Sequence, residues 1–327
     1  MKDQRSLVSN ISQRIRGYKA TTVILVTVLL VVILSISSSS FLTSENIRTT
    51  AIGLSCDGII GIGMTLALIS GGFDLSVGSV MGLAAVITAY LYMSGLNVWL
   101  SVLIAVVICT FVGFINGLLI GKVGINAFIT TLAMMEIARG AIYVITNGSS
   151  LSVTGASASF DFIGNGSLFG IPMIVIIFLV LTILGHFLIR RSSPAMNVFY
   201  VGSNEKAALL SGINASNVKL FVYTFSALVA SLAGILSLSR FGVATASMGD
   251  GSEMRVISAA VIGGASLSGG EGSVVGTVFG VIMLNIINNA LVMYNVSVNW
   301  QNLISGVILV LAVTLDVVSH KKRANRE

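Results

Sequence analysis

The chain has 327 residues, of which 55% are hydrophobic and 9% charged, and its mean hydropathy is +0.99. Soluble domains carry about a quarter charged residues, so this composition excludes a soluble globular protein and indicates a polytopic membrane protein. The net charge of +6 comes from basic residues at the ends of apolar segments, which argues against a nucleic-acid partner.

The N-terminal segment, residues 1–20, is basic and precedes the first apolar run. It resembles a signal peptide, but the later apolar segments must also enter the membrane, which favours an uncleaved first span. At roughly 20 residues per span, the chain accommodates about ten transmembrane helices. The predicted spans are 21–36, 50–70, 77–94, 98–120, 126–146, 169–189, 218–238, 256–268, 274–293 and 301–318, and the eighth is the shortest.

The distribution of basic residues predicts the orientation of these spans. With a cytoplasmic N-terminus, fourteen of the 18 Lys and Arg residues fall on the cytoplasmic side, as the positive-inside rule requires. The prediction is therefore a transmembrane domain over 21–318 with both termini cytoplasmic and a tail over 319–327. The longest outer loop, 147–168, either meets an external partner or is simply solvated.

One predicted cytoplasmic segment, 190–219, interrupts the apolar pattern with four basic residues and one acid. Ser203 or Asn204 is placed to cap a helix, Glu205 suits the positive end of its dipole, and Gly212 is placed to end it in a left-handed turn. Residues 207–210 give this helix a small apolar ridge, and the helix is too short to be stable alone. We expect it to dock on its own membrane domain or on another protein. An amphipathic loop lying on the bilayer is the alternative.

Two glycine-rich stretches resemble each other: GGFDLSVGS at 71–79 and GGASLSGGE at 263–271, with five of nine positions identical. Each precedes a helix whose glycines have small-xxx-small spacing. Both lie on the cytoplasmic side of the predicted topology, as a parallel internal repeat would. Chance similarity between glycine-rich turns is the alternative.

No catalytic residue, cofactor site or metal site is predicted. GLLIGKVG at 117–124 is one residue short of a phosphate-binding loop and lacks the hydroxyl residue after its lysine. Gly113, Gly117 and Gly121 instead indicate a helix-packing face. No Gly-x-Ser-x-Gly nucleophile motif occurs, and the two histidines lie far apart in the sequence.

Charged side chains within spans are costly and mark functional candidates. Glu136 and Arg139 are three residues apart on one predicted helix, and this spacing favours an ion pair. Asp57 has no local partner, so it would pair with a distant base, line a wet cavity or carry protons. Asp74, with Ser76 in the first glycine-rich stretch, would either cap the next helix or contact a substrate.

Asparagines are the remaining candidates for a translocation path. Asn285, Asn288 and Asn289 are spaced to point to one side of a predicted span, and Asn116 lies on another span. Within a membrane such amides usually tie helices together. Alternatively, with the polar residues of the first glycine-rich stretch, they would present hydrogen bonds to a neutral polyhydroxyl solute. The absence of clustered positive charge from the sequence argues against an anionic substrate.

Four stretches together resemble the membrane subunit of bacterial ATP-binding-cassette importers for monosaccharides, the ribose, galactose and xylose permease branch. They are GMTLALISGGFDLSVGS at 63–79, INAFITTLAMMEIARG at 125–140, YVGSNEKAALLSGI at 200–213 and AAVIGGASLSGGEGSVVGT at 259–277. The resemblance extends from about residue 45 to 318 and does not specify a sugar. It implies an all-α polytopic permease of the type II importer class in the bacterial plasma (inner) membrane.

The resemblance also implies that the chain translocates a neutral pentose or hexose and is not itself an enzyme. The implied partners are a second permease copy, identical or not, a cytoplasmic ABC ATPase that carries ATP and Mg, and an extracytoplasmic sugar-binding protein. The alternative is a secondary transporter driven by an ion gradient, with Asp57 or Asp74 as the coupling site.

In this family the central cytoplasmic loop carries a coupling helix that docks on the ATPase. By position it falls on Gly202, Asn204, Glu205, Ala207, Ala208, Ser211 and Gly212 of this sequence. The chain departs from the family just before the helix, because SSPAMNVF at 192–199 replaces the usual Gly-Arg pair. This departure leaves the detailed docking contacts open.

Overall fold

A computed structural model describes residues 19–297 and, beyond them, residues 300, 301, 303, 304, 306–308, 310, 311, 313 and 314. The predicted N-terminal segment 1–20 is described only from residue 19, and the predicted tail 319–327 lies outside the described residues. The last predicted span, 301–318, is described in part, and its described residues are helical.

The first half of the chain forms five long helices. They are α1 (Lys19–Ser37), α2 (Ser44–Ile69), α3 (Val77–Met93), α4 (Val98–Leu118), which continues through a π-helical turn at Leu119–Val123, and α5 (Ala127–Thr146). Side chains of Thr43, Asn97 and Asn126 cap the starts of α2, α4 and α5 by accepting backbone N–H groups of the first turn. Helices occupy the five predicted spans of this half to within a few residues, apart from the start of α2.

The predicted outer loop 147–168 contains regular structure that the sequence did not indicate. It holds β1 (Leu151–Ser152), α6 (Ala158–Asn165) and β2 (Ser167–Leu168), and β3 (Ile171–Pro172) follows. β1 pairs antiparallel with β4 (Val243–Ala244), and β2 pairs antiparallel with β3. The β1–β4 pair joins segments more than 90 residues apart, so no local pattern could have predicted it.

The second half begins with α7 (Met173–Arg191), α8 (Ser193–Ser203), α9 (Glu205–Leu210) and α10 (Ala215–Phe241). It continues after β4 with α11 (Ser252–Ile262) and α12 (Val274–Met293). The sequence did not predict α8. Its start carries both standard signals, because the Ser192 side chain accepts the Ala195 N–H and a proline occupies the first turn.

Helices α2, α3 and α10 form the centre of the bundle. Most of α2 and α10 is buried, whereas most of α4, α5 and α7 faces outward. α10 packs against α2, α3 and α4. A Cβ added to Gly113, Gly117 or Gly121 of α4 would meet the backbone of α10. The predicted glycine packing face is therefore confirmed, since only glycine permits this approach.

Within the described residues, six helices are long and apolar enough to cross a membrane: α2, α4 with its π-helical turn, α5, α7, α10 and α12. α3 and the apolar part of α1 are shorter apolar helices. Outward-facing residues such as Leu103, Val107 and Phe111 are more than half exposed, as expected where lipid replaces water. The prediction of an all-α polytopic membrane protein is confirmed, whereas the count of ten spans and the cytoplasmic termini stay predictions.

The eighth predicted span, 256–268, is helical over only part of its length, and we call it the interrupted span. Its helix, α11, has 11 residues, which at 1.5 Å per residue covers about 16 Å, roughly half of a bilayer core. The preceding residues 245–251 are not helical. Instead, the backbone at Met248 and Gly249 packs against Gly82 and Gly78 of α3, where a Cβ would not fit.

The helices place two sets of connections at opposite ends of the bundle. One set contains α9 and both glycine-rich stretches, and we call it the α9 end. The other contains the β1–β4 pair and α6, and we call it the β1–β4 end. At this end, Trp99 donates a hydrogen bond from Nε1 to Ser159 Oγ at 3.0 Å. The two glycine-rich stretches thus lie on the same side of the protein, as the predicted topology requires.

Candidate functional site

The short helix predicted within 190–219 is present as α9, Glu205–Leu210. The Asn204 side chain accepts the Ala207 N–H at 3.0 Å and caps its start. Gly212 follows its end with φ of +82°, a left-handed conformation that glycine adopts without strain. Both local signals in the sequence therefore predicted the helix correctly.

The apolar ridge over 207–210 is divided between two faces of the helix. Ala208 is buried, with 4% of its surface exposed, whereas Leu209 is 55% and Leu210 91% exposed. Leu209 and Leu210 therefore form the exposed apolar surface of α9, whereas Ala208 packs against its own chain.

Two contacts fix α9 to the start of α10. The Ile213 N–H donates to the Ala208 carbonyl at 3.0 Å, which closes the turn after the helix. Lys219 Nζ lies 2.8 Å from both carboxylate oxygens of Glu205. Both side chains of this ion pair are partly exposed, so it orients α9 more than it stabilises the fold.

The C-terminal end of α8 contacts the end of α2 and the second glycine-rich stretch. The Gly270 N–H donates to the Ile69 carbonyl at 2.8 Å, which joins the second stretch to the end of α2. A Cβ on Gly202, next to α9, would collide with the Ile69 carbonyl and approach Gly270, and a Cβ on Gly269 would meet Gly202 and Gly71. Three backbone segments thus meet without intervening side chains. The end of α8, which leads into α9, therefore lies in direct backbone contact with α2 and with the connection between α11 and α12.

Three of the predicted translocation-path residues form one buried cluster near this junction. Asp74 Oδ1 accepts the Ser76 N–H at 3.1 Å and the Ser76 hydroxyl at 2.6 Å, and Asn116 donates to Ser76 Oγ at 3.1 Å. All three are at most 1% exposed. Burial raises the pKa of the Asp74 carboxyl above its ordinary value, while the hydrogen bonds from Ser76 oppose that shift. Asp74 therefore orders the turn that leads into α3.

The asparagines of α12 belong to a different contact. Asn289 and Asn46 of α2 exchange two side-chain hydrogen bonds, of 2.7 and 3.2 Å. Asn285 donates to the Val281 carbonyl one turn earlier in its own helix, at 3.1 Å. Asn288 is half-buried on the same helix. The structure therefore does not bring these residues together with Asp74, and Asn289 ties α12 to α2, the usual role of such amides.

The charged residues within the spans find distant partners. Arg255 of α11 donates from Nε to Asp57 of α2 at 3.1 Å, which is the distant base that the sequence left open for Asp57. Arg139 donates from Nη1 to the carbonyls of Ala246 and Met248, at 2.8 and 3.0 Å. Glu136 is exposed and, among the described residues, no salt bridge joins it to Arg139. The predicted Glu136–Arg139 ion pair is therefore wrong, because the interrupted span offers Arg139 a better-fixed pair of acceptors.

A polytopic helical bundle with an interrupted span and a short capped helix exposed at one end defines the membrane subunit of a transporter. The chain belongs to the family described as branched-chain amino acid transport system / permease component, whose model matches residues 46–313. It is therefore a multi-pass inner-membrane permease and not itself an enzyme.

Curated relatives agree with this membership. The chain is similar to the ribose import permease protein RbsC of Bacillus subtilis (strain 168), with 36% identity over 283 residues, 86% of this chain and 88% of the relative. It is 34% identical over 287 residues to the L-arabinose transport system permease protein AraH of Escherichia coli (strain K12), 88% of this chain and 86% of the relative. The L-arabinose ABC transporter permease protein AraH of Azospirillum brasilense is 34% identical over 301 residues, 92% of this chain and 88% of the relative. No solved structure matches the chain.

Proposed function

We propose that the chain is the permease subunit of an ATP-driven importer that moves a neutral monosaccharide, a pentose or a hexose, across the plasma membrane. The observation that carries the proposal is α9, a capped helix whose Leu209 and Leu210 side chains are exposed beside a three-way backbone junction. A transporter driven only by an ion gradient would not need such an exposed apolar tip.

The proposed partner at α9 is a cytoplasmic ATPase subunit, which binds ATP and Mg and supplies the energy. Closure of the ATPase pair would displace α9 towards or away from the bilayer. Because Gly202 packs on the end of α2 and on the second glycine-rich stretch without side chains between them, this displacement would move α2 and α11 together. The transmembrane domain would then alternate between outward and inward opening.

A second permease copy and an extracytoplasmic sugar-binding protein complete the proposed assembly. The relatives named for ribose and L-arabinose support a pentose as cargo. The coupling role is proposed for Gly202, Asn204, Glu205, Ala207, Ala208, Ser211 and Gly212, with Leu209 and Leu210 added from the structure. Asp74, Ser76 and Asn116 are proposed to order the α9 end rather than to line the path.

Reconstitution in proteoliposomes tests this function. The chain is combined with its ATPase and sugar-binding protein, and uptake of labelled pentoses and hexoses is measured with and without ATP. We expect uptake only when all three proteins and ATP are present. Labelled leucine serves as the control cargo, since the family description names branched-chain amino acids. Uptake by the chain alone under an imposed proton or sodium gradient would support the secondary-transporter alternative instead.

A further inference from the structure

A cavity of about 430 Å³ opens beside the interrupted span, away from the Asp74 cluster and from α9. It is lined by α2, α3, α10, β4 with the segment after it, and the first turn of α11. Asp57, halfway along the 26-residue helix α2, lies at its inner part, and Arg240 and Phe241, the last residues of α10, lie towards the β1–β4 end. The cavity therefore extends from that end to about the middle of the bundle. Its size lies in the range of small-molecule sites.

The charged groups around this cavity differ in how many of their hydrogen-bond donors and acceptors have a protein partner. Arg255 is held by Asp57 and by Ser252 Oγ, which accepts from Nη2 at 2.7 Å. Arg240 lies over the ring of Phe241, with 4.9 Å from Cζ to the ring centroid. Among the described residues, Arg240 has no hydrogen-bond or salt-bridge partner. A half-buried guanidinium whose five N–H donors have no protein partner among the described residues is available to hydrogen-bond a ligand in this cavity.

The acceptors of the cavity decide which ligand it suits. The Asp57 side chain remains 15% exposed, and Arg255 occupies only part of its acceptor capacity, because a carboxylate offers about four lone-pair sites. An anionic ligand would meet this carboxylate at close range, whereas a polyhydroxyl ligand can donate to it while accepting from Arg240. Thr245 and Ser237 add hydroxyl groups, and methionine side chains supply an apolar wall. Donors, acceptors and apolar surface together match the two faces of a sugar ring.

We propose that this cavity is a monosaccharide-binding site on the translocation route, with Arg240 and Asp57 as the side chains that hydrogen-bond the sugar hydroxyls. The proposal rests on the proposed import function and replaces the path suggested by the asparagines of α12. It also revises the conclusion from the sequence that positive charge is not clustered, because the fold brings two arginines, Arg240 and Arg255, into one cavity with one carboxylate. The cavity lining thus carries two positive groups and one negative group, and the hydroxyls of a neutral sugar can hydrogen-bond groups of both signs.

The first test is Arg240→Gln in the reconstituted importer. This variant keeps a polar side chain and leaves no partner residue unpaired among those described. We expect sugar uptake to fall about tenfold or more, the effect of losing hydrogen bonds from a charged donor. Co-purification of the ATPase and ATP hydrolysis stimulated by the sugar-loaded binding protein should stay within about twofold. The control is Arg48→Gln, the same change at an exposed arginine near the start of α2. Unchanged uptake by Arg240→Gln, or an equal loss in both variants, would overturn the proposal.

The second test measures binding without transport. Thr245→Cys places a thiol in the cavity lining, and Ser247→Cys places one two residues away on the exposed side of the same segment. We expect millimolar D-ribose or L-arabinose to slow labelling of Thr245→Cys at least threefold and to leave Ser247→Cys unchanged, after subtraction of wild-type labelling at Cys56 and Cys109. Equal labelling with and without sugar, or protection only by an aldonic acid, would overturn the proposal. Because this test needs no ATPase, it tests sugar binding in the cavity even if ATP-driven uptake fails.

Discussion

Truncation of the exposed leucine at the tip of α9 gives the sharpest prediction for the coupling helix. Leu210 is 91% exposed in the isolated chain, so nearly all of its apolar surface is available to a partner. Replacement by Ala removes three carbons, and at about 0.8 kcal/mol per buried CH₂ group their loss from an interface costs about 2 kcal/mol. This corresponds to about a thirtyfold increase in Kd, because 1.4 kcal/mol is a factor of ten.

The measurement is titration of the detergent-solubilised chain with the purified ATPase subunit, followed by ATP-driven uptake in proteoliposomes. We expect Leu210→Ala to raise the Kd about thirtyfold while thermal stability stays unchanged, since the side chain makes almost no contact with its own chain. Leu42→Ala is the matched control, because Leu42 is also an exposed leucine, 58% exposed, in the connection between α1 and α2. It should leave both binding and uptake unchanged.

The reasoning would be refuted if Leu210→Ala bound the ATPase with the wild-type Kd. A large loss of thermal stability in this variant would also refute it, because the leucine would then be packed against its own chain. A substitution at Ala208 does not give this discrimination, since Ala208 is buried and a larger side chain there would displace α9 by itself.

Three further predictions concern the packing that positions the site. Asp74→Ala should lower the free energy of unfolding by about 1–3 kcal/mol, because it leaves the Ser76 N–H and hydroxyl without their acceptor. Asp74→Asn should lower it less, and the thermal aggregation temperatures of the two variants measure the difference. Asn289→Ala should lower stability, and a double-mutant cycle with Asn46→Ala should give a coupling energy of about 0.6 kcal/mol, with sugar uptake retained; additive single-mutant effects would contradict this. Gly117→Val should abolish accumulation in the membrane, because a Cβ there would meet the backbone of α10, and normal accumulation would contradict the packing.

Local signals in the sequence predicted most helices and their ends. The Asn204 cap and the left-handed Gly212 involve residues within one turn of each other, so the sequence alone contains the relevant interaction. The glycine face of α4 was predictable for a related reason, since a small-residue spacing on an apolar helix has few alternative explanations. Within α9, however, the sequence could not distinguish the buried Ala208 from the exposed Leu210.

Interactions between distant segments were not predictable. Arg139 bonds to carbonyls more than 100 residues away, in a segment whose non-helical backbone exposes them. Glu136, three residues before Arg139, offered a plausible but incorrect ion-pair partner for it. The cavity was missed for the same reason, because Asp57, Arg240 and Arg255 come from three separate helices. The only signal available was that each is a charged residue within or beside an apolar segment.

The location and contacts of α9 test the central claim most directly. A cysteine introduced at Leu210 provides a thiol at the tip of the helix, while the native Cys109 is buried and Cys56 half-buried. In oriented membrane vesicles, we expect an impermeant thiol reagent to label this cysteine only from the cytoplasmic side, and we expect the bound ATPase subunit to protect it. Labelling from the external side, or labelling that the ATPase does not reduce, would contradict the assignment of α9 as the coupling helix.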